Sequence, residues 1–93
     1  MSLQKVKQAV QNLPYMSLKK AQVMQNFIHK YNVSSILELG FYHGVSTCYM
    51  AAALEGIDRG SIVSIDLHSA KKREPNIEEF LVKCGYLDTV DFY

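Results

Sequence analysis

Between Ser2 and Asn12 the apolar positions are Leu3, Val6 and Val10, and Leu13 follows. Intervals of three and four put them on one face of a short helix. Pro14 ends it, because proline cannot continue the hydrogen-bond ladder. "PYMS" then reads as a turn. Ser17 is placed to cap a second helix running from Leu18 to about Tyr31. Its apolar positions are Leu18, Ala21, Val23, Met24, Phe27, Ile28 and Tyr31, again at helical spacing, and Asn32 is its stop.

The pattern then changes. "SSILEL" is short, β-prone and apolar at Ile36, Leu37 and Leu39. Apolar residues of both parities predict a strand buried on both faces. "VSTCYMAAALEG" is alanine-rich and closes on Gly56, which predicts a helix over Val45 to Glu55. "IDRG" reads as a turn, "SIVSID" as a second strand and "HSAKKREP" as a polar loop. Pro75 and Asn76 open a further helix, "NIEEFLVKCG". Glu78 and Glu79 lie near its positive end and Gly85 closes it. "LDTVDFY" reads as the start of a third strand. The order α-α-β-α-β-α-β predicts an α/β fold, a parallel sheet with right-handed crossovers.

Composition narrows the function classes. Ninety-three residues suit one small domain, and 48% apolar with 20% charged residues is ordinary globular usage. A net charge of +1 gives no electrostatic reason to invoke nucleic acid or an anionic membrane. Lys71-Lys72-Arg73 runs straight into Glu74 and reads as a solvated loop. Cys48 and Cys84 lack CxxC spacing, so neither a disulfide framework nor a zinc site is indicated. They read as reduced, half-buried thiols of a cytoplasmic protein. The first residues lack the continuous apolar stretch of a signal peptide. No run reaches the ~18–20 apolar residues that span a bilayer.

The candidate chemistry lies in "ILELGFYHGVST", Ile36 to Thr47. A strand, a glycine-bearing turn and a helix together form a ligand-binding device at the carboxyl end of the strand. Gly40 lets the backbone take a conformation closed to side chains and lets a ligand approach. Gly44 opens the helix, where unpaired N–H groups can meet a carboxylate or phosphate. Ser46 and Thr47 add hydroxyl donors. The plainer reading, that both glycines only make a tight turn, carries equal weight on this motif alone. Asp66, about 20 residues past Gly44, ends the second strand beside that turn, where an acid can accept hydrogen bonds from ribose hydroxyls. Its plainer reading is a cap or a loop acid. A dinucleotide site calls for G-x-G-x-x-G, and here Tyr42 occupies the second glycine position, which disfavours a pyrophosphate. Glu38 at the strand end can hold an ammonium group. A carboxylate, an ammonium and a ribose in one ligand describe S-adenosylmethionine.

At these residues the chain resembles a class I S-adenosylmethionine-dependent methyltransferase, and within that class the small-molecule O-methyltransferases of the catechol O-methyltransferase type. Their pattern is a helix with G-Q-apolar-M, then L-E-L-G-x-Y-x-G-x-S, then an apolar strand ending in an acid. "AQVM" at Ala21–Met24, "LELGFYHGVS" at Leu37–Ser46 and "IVSIDL" at Ile62–Leu67 stand in that order. The resemblance implies that Gly40 and Tyr42 line the methionine part of the cofactor, Ser46 its carboxylate, Asp66 its ribose and Leu67 its adenine. Met16 matches a position that touches the cofactor in that family, although it reads equally as a packing residue.

The resemblance also implies a Rossmann-like parallel sheet truncated to about three strands in the order 3-2-1. Residues 1–32 would be an N-terminal helical segment, and 33–93 the N-terminal half of an S-adenosylmethionine-binding domain. The catalytic residues and any metal ligands would lie in a second half. In that family strand one is central, so here "SSILELG" would be an open edge that invites pairing with a second copy. The expected partner of the whole enzyme is a small-molecule hydroxyl compound, with no nucleic acid and no membrane. Two other readings stand beside this one: a non-catalytic Rossmann-like binding or assembly module, and an NAD(P)-linked oxidoreductase fragment, which Tyr42 disfavours. His43 and His68 read as exposed turn residues that could touch ligand, and His29 as a solvated helix residue. Tyr49, Met50 and Leu54 read as helix-packing residues.

Overall fold

The computed structural model describes residues 2–10, 16–57 and 60–93. Helix α1 (Ser2–Val10) and helix α2 (Leu18–Lys30) precede strand β1 (Ser35–Leu39). Helix α3 (Val45–Glu55), strand β2 (Ser61–Ile65), a 3-10 helix (His68–Lys72), helix α4 (Ile77–Cys84) and strand β3 (Val90–Phe92) follow. The expected alternation is present in full. Pro14, Tyr15 and the Asp58-Arg59 part of the "IDRG" turn fall outside the described residues, as do the expected last helical residues of the first segment.

Local chemistry sets most element ends. Ser17 caps α2, its hydroxyl accepting from the Lys20 amide at 3.2 Å. Asn32 stops that helix in the left-handed region, at φ 57°. Asn76 caps α4 through the Glu79 amide at 2.9 Å, and Gly85 closes it with φ 80°. Glu78 and Glu79 occupy the first turn of α4 and complement its dipole.

The sheet is parallel throughout, in the order β1-β2-β3, which is the expected 3-2-1 seen from the other edge. Register pairs Ile36 with Ile62 and Glu38 with Ser64 across β1 and β2. It pairs Ile62 with Val90 and Ser64 with Phe92 across β2 and β3. These residues share one face, the face that the helices cover. Alanine-rich α3 is apolar all round and buries eight of its residues, Val45, Thr47, Cys48, Tyr49 and Ala51 to Leu54. It packs on β2, while α1 and α2 pack on α3 and bring Leu3, Val6, Val10, Ala21 and Ile28 into the same core.

The opposite face of the sheet differs from expectation. Leu37 and Leu39 are 64% and 75% exposed, so β1 is covered on one face and not on both. Both crossover helices of a right-handed β-α-β-α-β run lie on the same side of the sheet, and no described element packs on the other. β1 is also an edge strand of this sheet, as expected. On α2 the apolar positions divide. Ala21 and Ile28 are buried, whereas Val23, Phe27 and Tyr31 are more than half exposed.

Two smaller expectations are corrected. "HSAKKREP" is not a plain polar loop: its first five residues form the 3-10 helix, because buried Ala70 anchors the segment to the core. Cys48 and Cys84 are fully buried and not half-buried, facing each other from α3 and α4 as free thiols. The hydrogen bond between them lowers the Cys84 thiol to about 7, with Lys5 and Lys83 adding positive potential. Cys48 moves the other way, raised by the same bond and by burial.

Candidate functional site

The residues singled out in the sequence gather where β1 and β2 end. β1 hands over to its turn through the Gly40 amide, which donates to the Ile65 carbonyl at 2.7 Å and so extends the ladder one residue past the strand. Gly40 has φ 90°, closed to most side chains, and a Cβ built there meets no atom within 4 Å. Open space therefore lies directly over this backbone. Gly44 has the same φ, but a Cβ there would stand 2.8 Å from Ile77 Cγ1 and 3.2 Å from Ile77 Cα. Gly44 lets the first turn of α4 seat against the turn, and its amide donates to the Phe41 carbonyl at 2.7 Å. The two glycines thus do different work.

Asp66 ties the two strand ends together. Its Oδ2 accepts from the amides of Phe41 at 2.9 Å and Tyr42 at 3.0 Å, and its Oδ1 from the amide of Leu67 at 2.7 Å. The Tyr42 amide is the largest influence holding this carboxyl below the usual range, joined by those of Leu67 and Phe41 and by the charge of Arg73, against a smaller opposing effect of burial. A carboxylate offers about four acceptor positions. One on Oδ1 has no donor among the described residues.

Tyr42 sits at φ 53°, held there by that hydrogen bond, with its ring half-exposed and the Arg73 guanidinium 5.0 Å from the ring centre. Arg73 is therefore not part of a solvated run: it is half-buried against the turn while Lys71 and Lys72 face water. His43, read as exposed, is half-buried and donates through Nδ1 to the Pro75 carbonyl, a second tie between the turn and the entry to α4. His29 is likewise anchored, donating through Nε2 to the Ala53 carbonyl at 2.8 Å.

Glu38 lies under the first turn of α3. Ser46 donates to its Oε2, Thr47 to its Oε1, and Ser64 to Oε1 at 2.9 Å. Ser46, expected to meet a ligand carboxylate, here donates its hydrogen bond to Glu38. Leu67 is 75% exposed just beyond Asp66, and Met16 is half-buried against the core. Ser64 and Phe41 were not singled out in the sequence. Ser64 had one signal, a polar residue inside an apolar strand, but its meeting with Glu38 depends on the β1–β2 register. Among the described residues no group of three His, Cys, Asp or Glu could hold a metal ion. No described helix is long and apolar enough to cross a membrane.

Comparison with known proteins follows the same lines. The fold matches an O-methyltransferase of Bacillus cereus solved with S-adenosylhomocysteine, with a TM-score of 0.74 at 24% identity over 99% of this chain and 42% of that one. It matches the O-methyltransferase TomG of Streptomyces achromogenes, involved in tomaymycin synthesis and solved with S-adenosylmethionine, with a TM-score of 0.72 at 23% identity over 98% of this chain and 41% of that one. The chain thus spans less than half the length of these proteins. No curated protein matches it. Residues 37–92, from the middle of β1 to the end of β3, match a family described as a methyltransferase domain, and the chain belongs to that family.

Proposed function

We propose that this chain is the S-adenosylmethionine-binding portion of a methyltransferase that acts on a hydroxyl of a small molecule in the cytoplasm. In this reading residues 33–93 form the N-terminal half of the cofactor domain, and 1–32 are a helical segment packed on it. The observation that carries the proposal is the pair of carboxylates at adjacent strand ends, Glu38 and Asp66, on either side of the open backbone at Gly40. Each keeps one acceptor position with no donor among the described residues. Those positions suit an ammonium at Glu38 and a ribose hydroxyl at Asp66. Gly40 and Tyr42 would flank the methionine chain, Leu67 the adenine, and Met16 the outer side of the pocket. Ser46 would turn from Glu38 to the ligand carboxylate, beside the amino end of α3 that begins at Gly44.

When bound, the cofactor supplies a sulfonium methyl group for in-line transfer to oxygen. The work of these residues is to bind and orient it, and positioning supplies much of the rate in such a transfer. Calorimetric titration with S-adenosylmethionine and with NAD tests the reading. Binding of the former alone is expected; binding of NAD in preference would reassign the site to a dinucleotide. The bare face of Leu37, Leu39, Ile65 and Leu67 beside the free edge of β1 favours a second reading that is compatible with the first. In it this half assembles edge to edge with another copy.

A further inference from the structure

Thr47 and Ser64 are the only buried polar side chains among the described residues, each 0% exposed, and both hydroxyls go to the same atom, Oε1 of Glu38. They reach it from different elements. Thr47 stands in the first turn of α3, and Ser64 is the register partner of Glu38 on β2. Their surroundings are otherwise apolar, with Val45, Cys48, Ile62 and Val90 in the same core. Valine and alanine would fill these two places without the cost of burying a hydroxyl. Packing therefore does not require the hydroxyls.

What they do is fill both acceptor positions of Oε1, while Ser46 fills one on Oε2. A carboxylate whose Oε1 accepts from hydroxyls on two different elements is held in one rotamer. The acceptor positions open to a ligand are then those of Oε2, the oxygen that Ser46 leaves when it turns to the ligand carboxylate, and their direction is fixed. We infer that Thr47 and Ser64 are positioning residues that aim Glu38 at a cationic amino group and so make the site selective for the amino-acid end of its ligand. The inference rests on the cofactor reading above and deepens it. The roles of Thr47 and Ser64 lie outside the motif pattern by which the site was recognised.

The test is calorimetric titration of the whole chain with two nucleosides, S-adenosylhomocysteine and methylthioadenosine. The second lacks the ammonium and carboxylate. Thr47→Val and Ser64→Ala are each expected to weaken S-adenosylhomocysteine binding about tenfold, the scale of one hydrogen bond to a charged group. Both should leave methylthioadenosine binding unchanged, and Thr47→Ser should restore the wild-type value. Thermal unfolding of each variant reports whether the fold is kept. Equal weakening of both nucleosides, or no change in either, overturns the positioning role alone. A wild-type chain that binds neither nucleoside overturns the cofactor reading and this inference together.

Discussion

The backbone amide of Tyr42 donates to Oδ2 of Asp66 at 3.0 Å and, with the Phe41 amide on the same oxygen, links the turn after β1 to the end of β2. The Tyr42 bond holds a non-glycine residue at φ 53°, and it is the largest influence keeping the Asp66 carboxyl ionised. A left-handed conformation costs an ordinary residue about 1–2 kcal/mol, so the turn depends on the carboxylate that anchors it.

A pH dependence follows, with a definite sign. Asp66 has a lower pKa folded than unfolded. Its contribution to stability is full above the unfolded value, about 4, and is lost as pH falls through the depressed folded value. Asp66→Asn should cost about 1 kcal/mol at neutral pH, since solvent screens a half-exposed carboxylate. The two proteins should converge in stability as the pH is lowered from the unfolded value through the depressed folded one. Urea unfolding of both across that range checks this, and parallel pH profiles would mean that the charge contributes nothing.

The two glycines should respond differently to the same substitution. Gly40→Ala meets no atom and costs only backbone strain, about 1–2 kcal/mol. Gly44→Ala adds contact with the backbone and side chain of Ile77 at 2.8–3.3 Å, so a further ~1–3 kcal/mol of overpacking is expected. Ligand binding should show the reverse order, because the open space is over Gly40. Denaturation midpoints and titration with S-adenosylhomocysteine on the two variants give both rankings.

The features legible in the sequence are those whose cause is local. Ser17, Asn76 and Gly85 mark helix ends through bonds to residues three or four positions away. The order of the strands followed from their alternation with helices. Glu38, Gly40 and Asp66 could be placed near one another because crossover geometry brings consecutive strand ends together. What escaped the sequence is set by register and coverage. Ser64 meets Glu38 only because β1 and β2 pair in one register out of several. Arg73 stacks on Tyr42 only because the 3-10 helix turns it back, which a run of three basic residues does not reveal. Leu37 and Leu39 show that apolar residues of both parities mark faces suited to burial, not faces that are covered.

The cap of α4 should matter beyond its own helix. Asn76 accepts from the Glu79 amide at 2.9 Å, and the next residue, Ile77, is the one seated on Gly44. Asn76→Ala is expected to cost about 1 kcal/mol, and Asn76→Ser to recover most of it. Amide exchange should then rise at Ile77 to Phe80 and also at Gly44, whose close packing depends on that turn. Acceleration confined to α4 would show that the two turns are uncoupled.

Exposed apolar surface leads to the last prediction. Leu37, Leu39, Ile65 and Leu67 are between 42% and 75% exposed on one face, next to the free edge of β1. An open strand edge bordered by such a face is a template for pairing. Sedimentation velocity of the wild-type chain should therefore show concentration-dependent association. The double substitution Leu37→Lys, Leu39→Lys should shift it to monomer. Because both side chains already face water, the melting temperature should hardly move, as surface changes stay within about 0.5 kcal/mol. Phe27→Lys, on the exposed stripe of α2 with Val23 and Tyr31, is the control for a different interface. If Phe27→Lys dissociates the assembly and the β1 pair does not, α2 is the contact surface. A wild-type chain that stays monomeric at high concentration ends the edge-to-edge reading, and leaves the carboxylates at the strand ends as the evidence for what this chain does.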